Sequence, residues 1–211
     1  MTVTGVSLVL MTVVCLIIPS LLCADTTDKR ILILYYSRTG KTDLICETIS
    51  KKLGADVRKV KDTENRSGTL GYLGAAFDAI LNRHTDIEPA KVDVSPYTHI
   101  IIASPIWNWK LSTPIHTLIE SNDFSGKKIV LLTTANIDIT KYEKFGDDAP
   151  FMKKFFRDYV RGKKKDSQTY VKNRGGEFLH HYHFATEKKT SEQILEETLN
   201  VLDEMKKELS S

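Results

Sequence analysis

The sequence predicts an α/β fold: one parallel sheet with helices on both faces. Three observations carry this. The runs ILILYY (31–36), HIIIA (99–103) and KIVLLTT (128–134) are apolar throughout, as strands buried on both sides are. Stretches with helical spacing of apolar residues alternate with them, the order that builds parallel sheets through crossover connections. The composition, 41% hydrophobic and 27% charged over 211 residues, supplies an ordinary globular core. A chain of this length does not need disulfides to stabilise that core.

The first segment stands apart. Residues 3–24, VTGVSLVLMTVVCLIIPSLLCA, are uncharged, and all 30 basic and 27 acidic residues of the chain lie in 25–211. The stretch matches the roughly 20 residues that span a bilayer. Residues 1–24 therefore read as a signal peptide or a membrane anchor. Ala24 offers a small residue for cleavage, but no Lys or Arg precedes the apolar run, as a signal peptide would have. If the segment stays, Lys29 and Arg30 would hold the body on the cytoplasmic side. Cleaved and anchored forms both remain open. Residues 25–30 read as a linker, and 31–209 as one domain.

Within that domain, ILILYY is the first strand. SRTGKT (37–42) leads into a helix ending near Leu53, with Leu44, Ile45, Thr48, Ile49 and Leu53 on one side and Gly54 as its stop. DVRKV (56–60) alternates valine with charge, as an edge strand does. TLGYLGAAFDAIL (69–81) has helical spacing. HIIIA is the third strand, and SPIWNWKLS (104–112) reads as a loop. Thr113 and Pro114 open a helix to about Glu120, and KIVLLTT is the fourth strand. Asp147 or Asp148 is expected to cap a helix through about Arg161, and the basic stretch 162–176 reads as a solvated loop. EFLHHYHF (177–184) is the last strand. Thr190 and Gln193 have capping-box spacing. They precede a helix with Ile194, Leu195, Leu199, Leu202, Met205 and Leu209 on one face.

In parallel sheets of this kind ligands bind beyond the carboxyl ends of the strands. That directs attention to loops 37–42, 104–112 and 135–148. SRTGKT puts three hydroxyls and Gly40 between a buried strand and a helix start, where free amides and the helix dipole favour an anion. It reads as a monophosphate cradle. A nucleoside-triphosphate loop would need glycine where Tyr35 stands, and no buried strand ends in a magnesium-binding aspartate. The G-x-G-x-x-G dinucleotide pattern is absent. The second loop carries both tryptophans, Trp107 and Trp109. Exposed indoles on one loop suit a planar partner.

These residues carry a resemblance. Ser37-x-Thr39-Gly40-x-Thr42, with the run Ile100-Ile101-Ile102-Ala103-Ser104-Pro105-Ile106-Trp107, resembles the flavodoxin-like FMN-binding proteins over about 31–209. The resemblance implies a three-layer fold with strand order 2-1-3-4-5 and bound FMN. Its phosphate would lie on Ser37, Arg38, Thr39, Gly40, Lys41 and Thr42. Its ring would lie against Pro105, Ile106, Trp107, Asn108 and Trp109, with Ala135 and Asn136 on the third loop. Trp107 is the first choice for the flanking indole and Trp109 the second. NIDITKYEKFGDD departs from the family pattern in this third loop, where Tyr142 is a candidate to reach the ring.

The implied function is electron transfer. One form is an oxidoreductase passing electrons from a reduced nicotinamide or protein donor to a small acceptor such as a quinone. The other is a non-enzymatic carrier between redox proteins. No catalytic side chain is identified. A net charge of +3 is too small to argue for nucleic acid. No metal site is expected from the Cys/His spacing. His180, His181 and His183 read as polar positions at a strand end near the surface, with His180 facing away from the other two. Phe151, Phe155, Phe156 and Tyr159 read as a core-packing stripe, and Cys46 as an inert buried thiol.

Overall fold

The structure is a computed structural model and describes residues 30–63 and 84–210. The apolar segment 1–24 and the helix expected over 69–81 lie outside the described residues. Among the described residues, no helix is long and apolar enough to cross a membrane.

The five predicted strands pair in one parallel sheet. In chain order they are β1 (Ile31–Tyr35), β2 (Asp56–Lys59), β5 (His99–Trp107), β7 (Lys128–Ala135) and β8 (Glu177–Ala185). Their order across the sheet is β2-β1-β5-β7-β8, the implied 2-1-3-4-5 arrangement. A short β6 (Lys110–Leu111) pairs antiparallel with β5. Lys61–Asp62 (β3) and Ile87–Glu88 (β4) form a separate two-stranded ladder. The helices are α1 (Lys41–Leu53), α2 (Thr113–Ser121), α3 (Thr140–Glu143), α4 (Phe151–Lys172) and α5 (Ser191–Glu208).

Alternation along the strands splits the core into two layers. On one face Ile33, Ile101, Val130 and Leu132 meet Ile45, Cys46 and Ile49 of α1 and Ile194, Leu202 and Met205 of α5. On the other, Leu32, Leu34, Ile100, Ile102 and Leu131 meet Ile115, Leu118 and Ile119 of α2, with Phe124 and Val171. Burial pushes the Cys46 thiol up and keeps it protonated, as the sequence suggests. Gly54, at φ 65°, ends α1. The Thr190–Gln193 capping box forms in full.

Several expectations need correction. Residues 104–107 are not loop: β5 runs on through them, with Ser104 and Pro105 paired to Thr133 and Thr134 of β7. The expected helix ending near Arg161 continues to Lys172, so most of the basic loop is helix. Its lysines and Gln168 are good helix formers, and the single Gly162 costs only about 1 kcal/mol. Val171, fully buried, anchors the extension. Neither Asp147 nor Asp148 caps this helix; Pro150 occupies that position, and Asp147 pairs with Arg157 at 2.7 Å. The aromatic stripe also splits. Phe156 packs on Trp109, whereas Phe151 and Phe155 are 75% and 52% exposed. Phe155 lies about 100° round the helix from Phe156, enough to turn it off the seam. On α5 Leu199 is exposed, and Thr198 takes the buried place. Its hydroxyl is satisfied by the Ile194 carbonyl.

Candidate functional site

The carboxyl ends of β1, β5 and β7 open into a cleft of about 270 Å³. Its walls are Arg38, Thr39, Lys41, Thr42, Pro105, Ile106, Trp107, Asn108, Trp109, Thr134, Ala135, Asn136, Ile137, Ile139 and Thr186. Every residue expected at the site lines this cleft except Ser37 and Gly40. Those two shape the loop: the Gly40 amide donates to Ser37 Oγ at 3.2 Å.

The first wall is the start of α1. Gly40 takes φ 86°, a left-handed conformation that costs a side-chain-bearing residue about 1–2 kcal/mol. This turn swings the chain into the helix, whose first backbone bond runs from the Leu44 amide to the Gly40 carbonyl. No side chain caps the helix. The first amides of a helix have no intrahelical acceptor, so this end is open to an anion. Thr42 and Thr134 hydroxyls meet at 2.9 Å in the buried floor. The Lys41 ammonium donates to the Thr186 carbonyl at 2.6 Å. Thr186 in turn holds the Ala135 carbonyl through its amide (2.7 Å) and hydroxyl (3.1 Å). Among the described lining residues there are two cations and no carboxylate. This donor set fits a phosphate group.

The second wall is the β5–β6 hairpin. Ile106 pairs with Leu111 and Trp107 with Lys110, leaving Asn108-Trp109 as a two-residue turn. Both turn residues have positive φ, 47° and 65°, as a type I′ turn requires. Asparagine tolerates this; a tryptophan there is held under strain. What holds it is ring packing on Tyr142 (5.8 Å), Tyr159 (6.0 Å) and Phe156 (6.4 Å). At the hairpin base Ser104 Oγ accepts from the Ser112 amide at 2.9 Å. Trp107 plays a different part. It is 9% exposed, sits edge-on to Tyr36 at 5.6 Å and belongs to the core. Tyr142 does not line the cleft; it stands behind Trp109.

The third wall follows β7. His181 Nε2 and His183 Nδ1 both reach Thr133 Oγ1, at 2.8 and 2.9 Å, and His183 Nε2 reaches the Ile137 carbonyl at 3.2 Å. One assignment satisfies these contacts. His183 donates from Nε2 to Ile137, Thr133 donates to His183 Nδ1, and His181 donates from Nε2 to Thr133. His181 Nδ1 is then a bare acceptor, buried without a partner. Burial pushes His181 down to about 3 and His183 below its usual value, so both are neutral at neutral pH. The three histidines are half-buried, as positions near the surface are, but His181 Nδ1 is covered and the pair orders the Ile137 loop. His180 does face away, toward Glu204 and Glu208. Thr134, Ile137, Ile139 and Thr186 are lining residues that the sequence motifs did not single out. Position past a strand end is the signal that could have found Thr186.

Comparison with known proteins agrees with this architecture. A candidate flavoprotein from Bacteroides eggerthii matches 82% of this chain over 98% of its own, at 17% identity and a TM-score of 0.54. A second, from Bacteroides uniformis, matches 80% over 96%, also at 17% and 0.54. A flavoprotein from Lactobacillus acidophilus, solved in complex with FMN, matches 74% over 93% at 19% identity and a TM-score of 0.49. None of the curated proteins compared with this chain matches it. The sequence model of the flavodoxin family matches residues 30–145, more than half of the sequence, and the chain belongs to that family.

Proposed function

We propose that the cleft holds one FMN and that the protein is an oxidoreductase. It would pass electrons from a reduced nicotinamide or protein donor to a small acceptor such as a quinone. One observation carries the FMN reading: an uncapped helix start behind a left-handed glycine meets two cations and both tryptophans in a single carboxylate-free cleft. FMN would supply the redox chemistry, and the chain would bind, orient and shield it. Arg38, Thr39 and the first amides of α1 hold the phosphate. Pro105 to Trp109 hold the ring, with Trp109 as the flanking indole because Trp107 is committed to the core. Asn136 and the histidine-ordered Ile137 loop close the third side. The test is titration of flavin-free protein with FMN and with riboflavin. Saturation at one FMN per chain, with riboflavin much weaker, supports the cradle; equal affinities overturn it.

The carrier reading is favoured by one feature. Phe151, Met152 and Phe155 are exposed on α4, and Phe155 packs on Phe156, which packs on Trp109. An apolar patch so close to the cleft suits a protein partner. Steady-state turnover of reduced nicotinamide with a quinone selects the enzyme. Its absence, with fast electron exchange to a redox protein, selects the carrier.

Residues 1–24 are proposed to bring this domain to a membrane. The full chain should then fractionate with membranes, and a chain beginning at Thr26 should be soluble and still bind FMN.

A further inference from the structure

A second group of side chains lies outside the cleft, none of them among its lining residues. His116 and Glu120 stand four residues apart on α2, on one helix face. His84 approaches from the segment before β4, with its Nε2 2.9 Å from Glu120 Oε2 and its ring 5.8 Å from that of His116. One ligand atom from each of the three falls within 4.8 Å of the other two. Tyr170 of α4 backs the group. Its ring stacks on His116 at 4.2 Å, its hydroxyl donates to Glu120 Oε1, and the same oxygen meets His116 Nδ1 at 3.1 Å.

We propose that His84, His116 and Glu120 bind a divalent transition-metal ion of the zinc type, with Tyr170 as a positioning residue. Two imidazoles and one carboxylate form a donor set for such ions, and three protein ligands leave a coordination position open. The hydrogen bonds favour the required tautomer. Because Tyr170 donates its proton to Glu120, its oxygen accepts from His116 Nδ1–H, which leaves His116 Nε2 bare for the ion. The arrangement is that of metal-site histidines, whose second nitrogen is held by an outer partner. The ion takes the place of the hydrogen between His84 Nε2 and Glu120 Oε2: Nε2 gives that proton up to solvent, and the ring binds as a neutral imidazole with its one proton on Nδ1. The open position has room: a cavity of about 220 Å³ bounded by His116 and Tyr170, with Lys110, Lys163, Asp166 and Ser167, adjoins the group. The two lysines oppose the cation and suit an anionic second ligand on it.

The test uses the full-length chain freed of metal with a chelator, titrated with Zn²⁺ alone and with Co²⁺ as a spectroscopic probe. One ion should bind per chain, with the absorption of a low-coordinate cobalt site. His84→Ala removes an exposed side chain and leaves the core intact; it should weaken binding at least 10-fold, as should Glu120→Gln. Tyr170→Phe, which leaves all three ligands in place, should weaken it about 10- to 100-fold. His180→Ala, on the other face of the sheet, should change nothing. Absence of saturable binding by the parent overturns the site. So does parent-like binding by His84→Ala, which stays informative even where Glu120→Gln misfolds. FMN affinity, measured on the same proteins, should be unmoved in His84→Ala, which separates this site from the cleft.

Discussion

The α1 wall and the hairpin wall of the cleft are built by opposite means. The first is made of backbone: a left-handed glycine, open helix amides and small hydroxyls, all inside Ser37–Thr42. The second is made of side chains. Trp109 holds a strained turn only because Tyr142, Phe156 and Tyr159, from two other elements, press on it. A wall of backbone is specified locally and tolerates change elsewhere. A wall of packed rings depends on the whole fold, and changes in it mix stability with binding.

The largest effect is expected at Trp107, the indole of the hairpin that belongs to the core. Trp107→Ala should lower the unfolding free energy by about 3–5 kcal/mol, the range for large aromatic truncations in cores. Denaturant unfolding of this variant beside Trp109→Ala reads the difference. If Trp109→Ala is the more destabilised, the division of labour between the two indoles is wrong.

The opposite outcome is expected in the α1 wall. Thr39→Ala should leave stability near that of the parent, because Thr39 is exposed. It should weaken FMN by roughly 10- to 150-fold, if its hydroxyl donates to a charged phosphate at about 1.5–3 kcal/mol. Fluorescence titration gives the number, and parent-like affinity would remove Thr39 from the cradle.

Acid should separate the walls too. His181 is held near 3 in the fold and returns to about 6.5 on unfolding. Between those values the unfolded chain binds a proton that the folded chain refuses. Its contribution is complete above pH 6.5 and falls as the pH drops through the window, by at most about 1.4 kcal/mol per unit. His183 adds in the same direction. Stability measured from pH 7 to 5 should show this slope, and His181→Gln should flatten it. An unchanged slope in that variant would place the acid sensitivity elsewhere.

The smallest effect is expected at Trp109. Trp109→Leu removes an aromatic contact worth about 0.5–1.5 kcal/mol and should weaken FMN only about 2- to 10-fold. The flavin reduction potential should rise more visibly, because an indole against the ring disfavours the anionic reduced form. Potentiometry that finds no shift, with quenching of tryptophan by FMN intact, would return Trp107 to the role.

How much was legible follows the same division. The strands and the α1 wall were readable, because their signals are short apolar runs and six consecutive residues; the order of the strands across the sheet came only with the family resemblance. The hairpin was not, since a proline and two indoles imitate a loop. Pro105 is tolerated in β5 because proline removes only one amide and its carbonyl still accepts from the Ser112 amide. The length of α4 was hidden by lysines and Gly162, which look like linker until Val171 is seen buried. The His84–His116–Glu120 group has no local signature, because two lone histidines 32 residues apart and one glutamate make no spacing pattern. Only the fold brings them together.

One irregularity in β8 has a consequence for chain length. The pairing with β7 passes from Ile129↔Phe178 to Val130↔His180, so Leu179 is an extra residue. Phe178 packs with the α2–α4 layer, whereas Leu179 joins the α1–α5 layer with Tyr182 and Phe184. The bulge thus acts as a reading-frame shift for side chains, and it is what sets His181 and His183 over Thr133. Deleting Leu179 would restore regular pairing and leave every later residue on its present face, at the cost of one half-buried leucine. Deleting Tyr182 would turn His183 and Phe184 inside out. The strand is therefore expected to accept a one-residue loss at 179 and to reject it three positions later, which folding yield and FMN retention of the two deletion variants would show.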